Sequence, residues 1–462
     1  MPVTPLKLAT GVLALGVALG LMHVACVIGF HVPFDPNEGW SAAFADLATR
    51  TGSPYPPPRS YLINNYPPLS FYLVGGVARL TGDAIVAGRA VALLAFFAVV
   101  AAIEGAARRM GCGRIEAAFA ALLFAAQLML TTDYVGMDDP QLLGHAVAMG
   151  GLLIALREPR TPRDMVFAAA LFVVAFFVKH NLVVLPAAVA LWLFLADRRL
   201  AVTFAASGTV FLLVGLGLFE TVFGLSLMSQ VNSARVFAWS HLWDGLAGWL
   251  RWGALPLAGA ATLFAMARHE REAMFCVIYA AVAMAAGAFF FGGAGVDANA
   301  MFDADIALAL STGVLLNRLG PGLLRGAAAL LLLVPPAIGL ADLDADWRSG
   351  DYWWHPMAEE RQQAAATIAA IRAAPGPVLC DMLSLCIWAG KPAEVDTFNM
   401  GQAFLTGRRS DTLLAAAIAE HHYALIEMEA DTPPLSPRIR NALAEHYRIV
   451  RRNSDRVLYA PR

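Results

Sequence analysis

The chain is short of charge. Only 15% of its 462 residues are Asp, Glu, Lys or Arg, while 58% are hydrophobic. Soluble domains carry about 25% charged residues, which excludes a water-soluble enzyme. Neither sign of charge prevails, since 33 basic and 35 acidic residues leave a formal net charge of -2. A nucleic-acid partner, which calls for a basic surface, is therefore not expected. Cysteine is also scarce: Cys26, Cys112, Cys276, Cys380 and Cys386 do not make a disulfide framework. There is no glycine-rich phosphate loop of the nucleotide type, and no inverted repeat of the kind common in transporters.

What the chain has is apolar runs of the length that crosses a bilayer core, about 20 residues each. They predict about eleven spans, at 8–30, 85–106, 115–132, 140–156, 165–179, 182–196, 201–222, 246–267, 273–291, 304–318 and 323–341. The first, after Lys7, has the outline of a signal peptide. It is long enough to span, and no small-residue cleavage site precedes His31, so it reads as a retained helix. Arginines mark one set of loops: Arg108, Arg109 and Arg114; Arg157 to Arg163; Arg198 and Arg199; Arg268 and Arg271; Arg318 and Arg325. The loops 31–84, 133–139, 223–245 and 292–303 are acidic or aromatic instead. The positive-inside rule puts the arginines, and the N-terminus, in the cytoplasm. The acidic loops and everything after about 342 then lie outside.

This parity requires that 66–77, apolar but short and started by Pro67 and Pro68, does not cross. It reads as an interfacial helix. Before it, Tyr55-Pro56-Pro57-Pro58-Arg59 cannot be helical and packs over the outer face. Two domains are expected: 1–341 in the membrane, with its first outer loop at 31–84, and 342–462 as a small α/β domain outside. Asp342, Asp344 and Asp346 mark the exit from the membrane. Within the second domain, 357–373 reads as an amphipathic helix, Val378 to Cys380 and Ala424 to Glu427 as strands, and 411–420 as a helix between them. In an oxidising compartment Cys380 and Cys386 could pair; two buried free thiols fit as well.

The candidate chemistry lies on the outer side. Phe34-Asp35-Pro36-Asn37-Glu38-Gly39-Trp40 puts two carboxylates where the first span surfaces. A second loop brings Asp133, Asp138 and Asp139, and a third Asp297, Asp303 and Asp305. Any one of these can simply face water, and Asp297 and Asp305 are read that way. Asp138-Asp139-Pro140 also suits a helix start. Acids delivered by three loops to one face nevertheless suit a general base, a metal site or both. Cations there are few: Arg59, Arg89, Lys179 with His180, and Arg235 with His241. Lys179 reads either as a snorkelling lysine or as part of an anion site for a phosphate.

These residues resemble a known family. Asp35-Pro36-Asn37-Glu38-Gly39-Trp40, Asn64-Asn65-Tyr66-Pro67-Pro68-Leu69, Gly88-Arg89, Asp138-Asp139 and Lys179-His180-Asn181 look like the polytopic GT-C glycosyltransferases. More distantly they are similar to the protein O-mannosyltransferases and the lipid A aminoarabinose transferases. The resemblance covers roughly 8–341 and extends to Leu385 to Asp396. It implies an all-α polytopic membrane protein of GT-C type. It also implies transfer of a sugar from a polyprenyl-phosphate carrier to a cell-envelope glycan or lipid outside the cytoplasmic membrane, usually with inversion. A carboxylate after the first span would deprotonate the acceptor hydroxyl. The distant relatives carry adjacent Asp-Glu there. Here Asn37 precedes Glu38, so Asp35 is the favoured base, with Glu38 next and Asp139 as the acid of the second loop. Lys179 and Arg89, with His180 and Arg59, would hold the donor phosphate. Asp138, Asp303, Asn65 and Tyr66 are further site candidates.

The residues do not settle metal dependence, since a carboxylate count alone does not decide it. A divalent cation, Mg²⁺ or Mn²⁺, would fall to Asp35, Glu38 and Asp139. Two other classes fit the apolar bulk. A transporter or flippase would place polar residues at mid-depth, whereas here they crowd one face. A non-catalytic scaffold that binds envelope polymers would tolerate Asn37.

Overall fold

The computed structural model describes residues 4–225, 227–231, 235–342, 354–430 and 435–462. Asp344 and Asp346, read as marking the exit from the membrane, lie outside these residues. The first part of the chain is all helix: α1 Pro5–Val27, α2 Pro36–Thr51, α3 Leu69–Thr81, α4 Ala84–Arg109, α5 Arg114–Thr131, α6 Gln141–Ala155, α7 Pro162–Val178, α8 Val184–Ala196, α9 Arg198–Phe223, α10 Leu227–Val231, α11 Trp239–Ala267, α12 Arg271–Phe291, α13 Phe302–Arg318, α14 Leu323–Leu331 and α15 Val334–Asp342. Each expected span falls on one of these helices or, for 323–341, on two. Seven of the described helices (α1, α4, α5, α9, α11, α12 and α13 with its preceding turn) are long and apolar enough to cross a membrane. The chain is a multi-pass membrane protein.

Exposure follows from the solvent these helices face. On α1, Leu8, Val12, Leu15 and Met22 are exposed, and on α9 Val202, Val210, Leu213, Leu218 and Val222 are. Such apolar rows would be untenable in water and are expected against lipid. Helix α13 is the opposite case, with every residue from Phe302 to Leu316 buried. An apolar helix buried all round forms the centre of the bundle, and Asp303 and Asp305 sit in its first turn. Helix α3 has 13 residues, as does α8. It packs on α2 and α4. A Cβ at Gly75 would come 2.6 Å from the Ala45 carbonyl oxygen, so glycine sets how closely α3 approaches α2.

The C-terminal part has a helix at Ala358–Ala373, β1 Val378–Cys380, helices at Leu383–Trp388, Thr397–Leu405 and Thr412–Ala419, β2 Leu425–Glu429, a helix at Pro437–His446, β3 Tyr447–Arg452 and β4 Arg456–Pro461. The sheet order is β1-β2-β4-β3. Strands β1 and β2 are parallel, while β2 with β4 and β3 with β4 are antiparallel. The two expected helices and two expected strands are present, and Cys380 is bonded to Cys386. The β3–β4 hairpin was not foreseen: Tyr447-Arg448-Ile449-Val450-Arg451-Arg452 lacks the alternation of a half-buried strand, and only Tyr447 in it is buried.

This small domain is fastened to the first loop. Arg409 donates to the carbonyls of Ser60 and Pro58, and the Asp396 amide donates to the Tyr61 carbonyl at 3.0 Å. The Trp40 indole N–H is shared between Asp396 Oδ2 at 3.0 Å and the Ile63 carbonyl at 3.2 Å. A Cβ on Gly39 would come 2.2 Å from the backbone nitrogen of Ser384, so α2 and the 383–388 helix meet backbone to backbone only because residue 39 is glycine. Of the 55–59 stretch, Pro58 thus meets the C-terminal domain, while Tyr55 packs against Phe177, Phe219 and Phe223.

Candidate functional site

Asp35 caps α2. Its backbone is extended, Pro36 follows at the first helical position, and its Oδ1 accepts from the Asn37 amide at 2.7 Å. The second carboxylate oxygen has no hydrogen-bond partner among the described residues, and the side chain is only partly buried. Its carboxyl is pushed up to about 6, chiefly by desolvation; Asp139, Asp297 and Glu38 add smaller repulsions and the Asn37 bond opposes them.

Glu38, one turn on, is fully buried. Arg89 of α4 grips it with Nε to Oε1 and Nη2 to Oε2, both 2.7 Å. The Phe34 amide donates to Oε2 at 2.9 Å and the Asp138 amide to Oε1 at 3.3 Å. The other Arg89 N–H groups reach the carbonyls of Ile28, Phe30 and Val32, and the guanidinium lies over the Phe34 ring at 3.6 Å. All five donors of the guanidinium are engaged. The expectation that Arg89 holds a phosphate is corrected by this geometry. Arg89 instead ties the end of α1 and the following loop to Glu38, and Glu38 in turn has no free lone pair to act as a base.

The second loop forms a parallel arrangement. Asp139 Oδ1 accepts from the Gln141 amide at 2.7 Å and from Lys179 Nζ at 2.8 Å, and Oδ2 lies 3.1 Å from the same amine. Helix α6 starts here, as the Asp-Asp-Pro pattern suggested, with Pro140 at the N-cap and Asp139 accepting from its first amide. Lys179 is 3% exposed and paired, so it is not a snorkelling lysine. Its ammonium lies 5.0 Å from the centre of the Tyr66 ring. Tyr66 meets Trp40 edge-on at 4.8 Å and His180 at 5.7 Å, joining α2 to the end of α7. Beyond Asp139, Gln141 Nε2 is 3.0 Å from His145 Nε2, and Asn181 Nδ2 donates to Gln141 Oε1 at 3.2 Å.

The remaining candidates divide. Asp138 is buried beside Glu38; desolvation, then Glu38 and Asp139, push its carboxyl well above the usual carboxylate range, with Arg89 opposing. Asn65 is buried in the same loop as Tyr66. Burial, then Lys179 and Arg235, lower His180 to about 4, so it is neutral at pH 7 and supplies no charge to an anion. Arg59 is exposed and makes no described contact with the cluster. Asp303 accepts from the Tyr279 hydroxyl at 2.6 Å, away from the Asp35–Glu38 pair. Asp305, expected to face water, is 7% exposed and accepts from Gln127 and Trp249. A helical position in a fully buried helix overrides the polar-equals-exposed reading. Asp297 is exposed as expected.

The acids do not fit a divalent cation. Glu38 is saturated by Arg89 and two amides, Asp139 is held by Lys179, and of the three only Asp35 has an oxygen to offer. Among the described residues no three His, Cys, Asp or Glu side chains converge as a metal site. Sequence reasoning missed Gln141, His145 and Asn181, and the Trp40–Asp396 contact. Nothing in a single sequence links residues so far apart.

Residues 65–223, about a third of the chain, match the model of the dolichyl-phosphate-mannose-protein mannosyltransferase family. No curated protein matches the sequence. Among solved structures, ArnT of Cupriavidus metallidurans bound to undecaprenyl phosphate is similar with a TM-score of 0.65 at 18% identity, covering 98% of both chains. Its apo form gives 0.63 at 17% identity over the same shares. The oligosaccharyltransferase AglB of Archaeoglobus fulgidus, in complex with an inhibitory peptide and a dolichol-phosphate, gives 0.55 at 10% identity, covering 91% of this chain and 69% of that one. The fold is that of the GT-C membrane glycosyltransferases.

Proposed function

We propose that this protein moves a monosaccharide from a polyprenyl-phosphate donor to a cell-envelope glycan or lipid, on the outer face of the cytoplasmic membrane, with Asp35 as general base. The observation that carries the reading is the division of labour between the two acids of the first loop. Glu38 is locked by Arg89, while Asp35 keeps an unpartnered oxygen and a carboxyl raised to about 6. A base with a pKa near the working pH is well matched to take a proton from an alcohol.

In the step itself, the Asp35 carboxylate accepts the acceptor's hydroxyl proton as its oxygen bonds to the anomeric carbon. The bond from that carbon to the phosphate oxygen breaks, and the electron pair leaves with polyprenyl phosphate. Attack from the side opposite the phosphate inverts the anomeric centre. Lys179 is the cation we assign to the phosphate: Arg89 has no donor left, Arg59 lies apart and His180 is neutral. Its present partner Asp139 would yield it to the more highly charged phosphate. No divalent cation enters this step.

The test is transfer by membranes containing the protein from a panel of radiolabelled polyprenyl-phosphate sugars. One donor should give labelled product with wild-type protein and none with Asp35→Asn. Labelled donor that crosses a sealed vesicle without being consumed would identify a flippase instead.

A further inference from the structure

The edge of the C-terminal sheet is basic and apolar at once. Residues 435–462 carry seven arginines against two acids, Glu445 and Asp455, in a chain whose net charge is -2. Three of the arginines fall on β3, which ends the sheet and has only β4 beside it. Arg448, Arg451 and Arg452 are exposed. So are Ile449 and Val450, at 52% and 49%. Val450 sits in a register shift and pairs with no residue of β4. Arginines alone would be an ordinary guard against edge pairing. Two aliphatic side chains among them call for a cover. A second copy of the chain does not provide it, because β3 against β3 would set arginine opposite arginine.

The position of the hairpin names the cover. Arg448 pairs with Ala460 of β4, and Ala460 packs against the same apolar cluster as Phe30 and Met357. Phe30 lies three residues past the end of α1. Arg361, on the helix at Ala358–Ala373, sits over its ring at 4.2 Å. Arg451 donates to the Ala366 carbonyl of that helix at 3.1 Å. The hairpin is therefore held beside the point where α1 leaves the bilayer, and α1 shows its apolar row to lipid. Trp354, just before the same helix, is 82% exposed. Tryptophan and arginine around exposed aliphatic side chains compose a surface that lies among lipid headgroups.

We propose that β3 docks on the anionic headgroups of the leaflet that α1 reaches at Phe30. Ile449 and Val450 enter the acyl boundary, and Arg448, Arg451 and Arg452 meet the phosphates. Arg448 has no side-chain partner among the described residues and is free to do so. Docking sets the C-terminal domain, and through Asp396 and Trp40 the loop that bears Asp35, at one height above the bilayer. The contact stands whether or not the chain transfers a sugar.

The test places the purified full chain in nanodiscs, one copy in each. The discs are made of phosphatidylcholine alone or of phosphatidylcholine mixed with phosphatidylglycerol. A polarity-sensitive dye is attached to Val450→Cys, with Cys26→Ser removing the exposed native thiol. In the anionic discs alone the emission should shift to the blue and be quenched by lipids brominated on the acyl chain, and salt should reverse both. Hydrogen exchange on the unlabelled chain reports the docking without the dye, and residues 447–452 should exchange more slowly in the anionic discs. An arginine near an anionic surface favours docking by about fivefold. Replacing Arg448 and Arg451 together by glutamine should then lower the ratio of docked to free hairpin by about 25-fold. The proposal is overturned if exchange across 447–452 is the same in both kinds of disc. A dye shift with unchanged exchange would be the dye's own affinity for lipid, and overturns it as well. It is equally overturned if the double variant docks as the wild type does.

Discussion

Replacing Asp35 by asparagine separates the two tasks of that side chain. As a helix cap, asparagine is about as good as aspartate, since its amide oxygen still accepts from the Asn37 N–H. The cap itself should therefore change by no more than a few tenths of a kcal/mol, whereas Asp35→Ala should lose about 1 kcal/mol of capping. As a base, the amide is useless. General-base assistance is worth roughly 10²–10⁴ in rate, so single-turnover transfer should fall by that factor in both variants alike. The pH profile supplies an independent check. Only the carboxylate accepts a proton, so wild-type transfer should climb with pH to a shoulder near 6, and this limb should vanish in Asp35→Asn. Stability moves the other way. A carboxyl raised from 3.8 to about 6 binds protons more tightly in the folded state. Its contribution is complete below about 3.8, is lost as pH rises through 6, and is absent from the asparagine variant. The assay is single-turnover transfer from the radiolabelled donor, with chemical denaturation run alongside. Full transfer by Asp35→Asn, or an unchanged acidic limb in its pH profile, would remove Asp35 from the chemistry.

Three further outcomes are expected. Arg89→Met leaves Glu38 charged and unpaired in a fully buried site, and should cost about 3–5 kcal/mol of stability; a denaturation midpoint equal to the wild type would contradict the geometry. Gly39→Ala should loosen the C-terminal domain from α2, because the added methyl meets the Ser384 nitrogen at 2.2 Å; limited proteolysis should then degrade the C-terminal part sooner than in the wild type, and an unchanged rate would contradict the contact. With the arginine loops inside, a cysteine at Ala430 should react with an impermeant maleimide in intact cells and one at Arg114 only after permeabilisation; the reverse pattern would invert the topology.

The fold was legible in the sequence wherever a single physical signal dominated. Long apolar runs located the helices, and Asp35-Pro36 and Asp139-Pro140 marked helix starts because capping is a local matter. The short length of 66–77 kept α3 from being taken as a span. What failed was everything set by distant neighbours. Arg89 looked like an available cation because five carbonyl and carboxylate acceptors, from residues 28 to 38, cannot be seen converging on it in one dimension. Asp305 looked solvated because acids usually are, yet α13 is enclosed by α5, α11 and α12. Trp40 gave no sign that its indole N–H would end on Asp396. The paired fate of the two acids, one locked and one available, likewise depends on contacts across 51 residues of chain.

The clasp between Gly39-Trp40 and the 383–396 segment also bears on how the protein is made. Ribosomes synthesise the chain from its N-terminus, so the loop bearing Asp35 emerges more than three hundred residues before Asp396. Until the sheet folds and Asp396 arrives, Trp40 has lost one of its two hydrogen-bond acceptors and the backbone face at Gly39 is bare. The loop that bears Asp35 is thus completed last although it is made first.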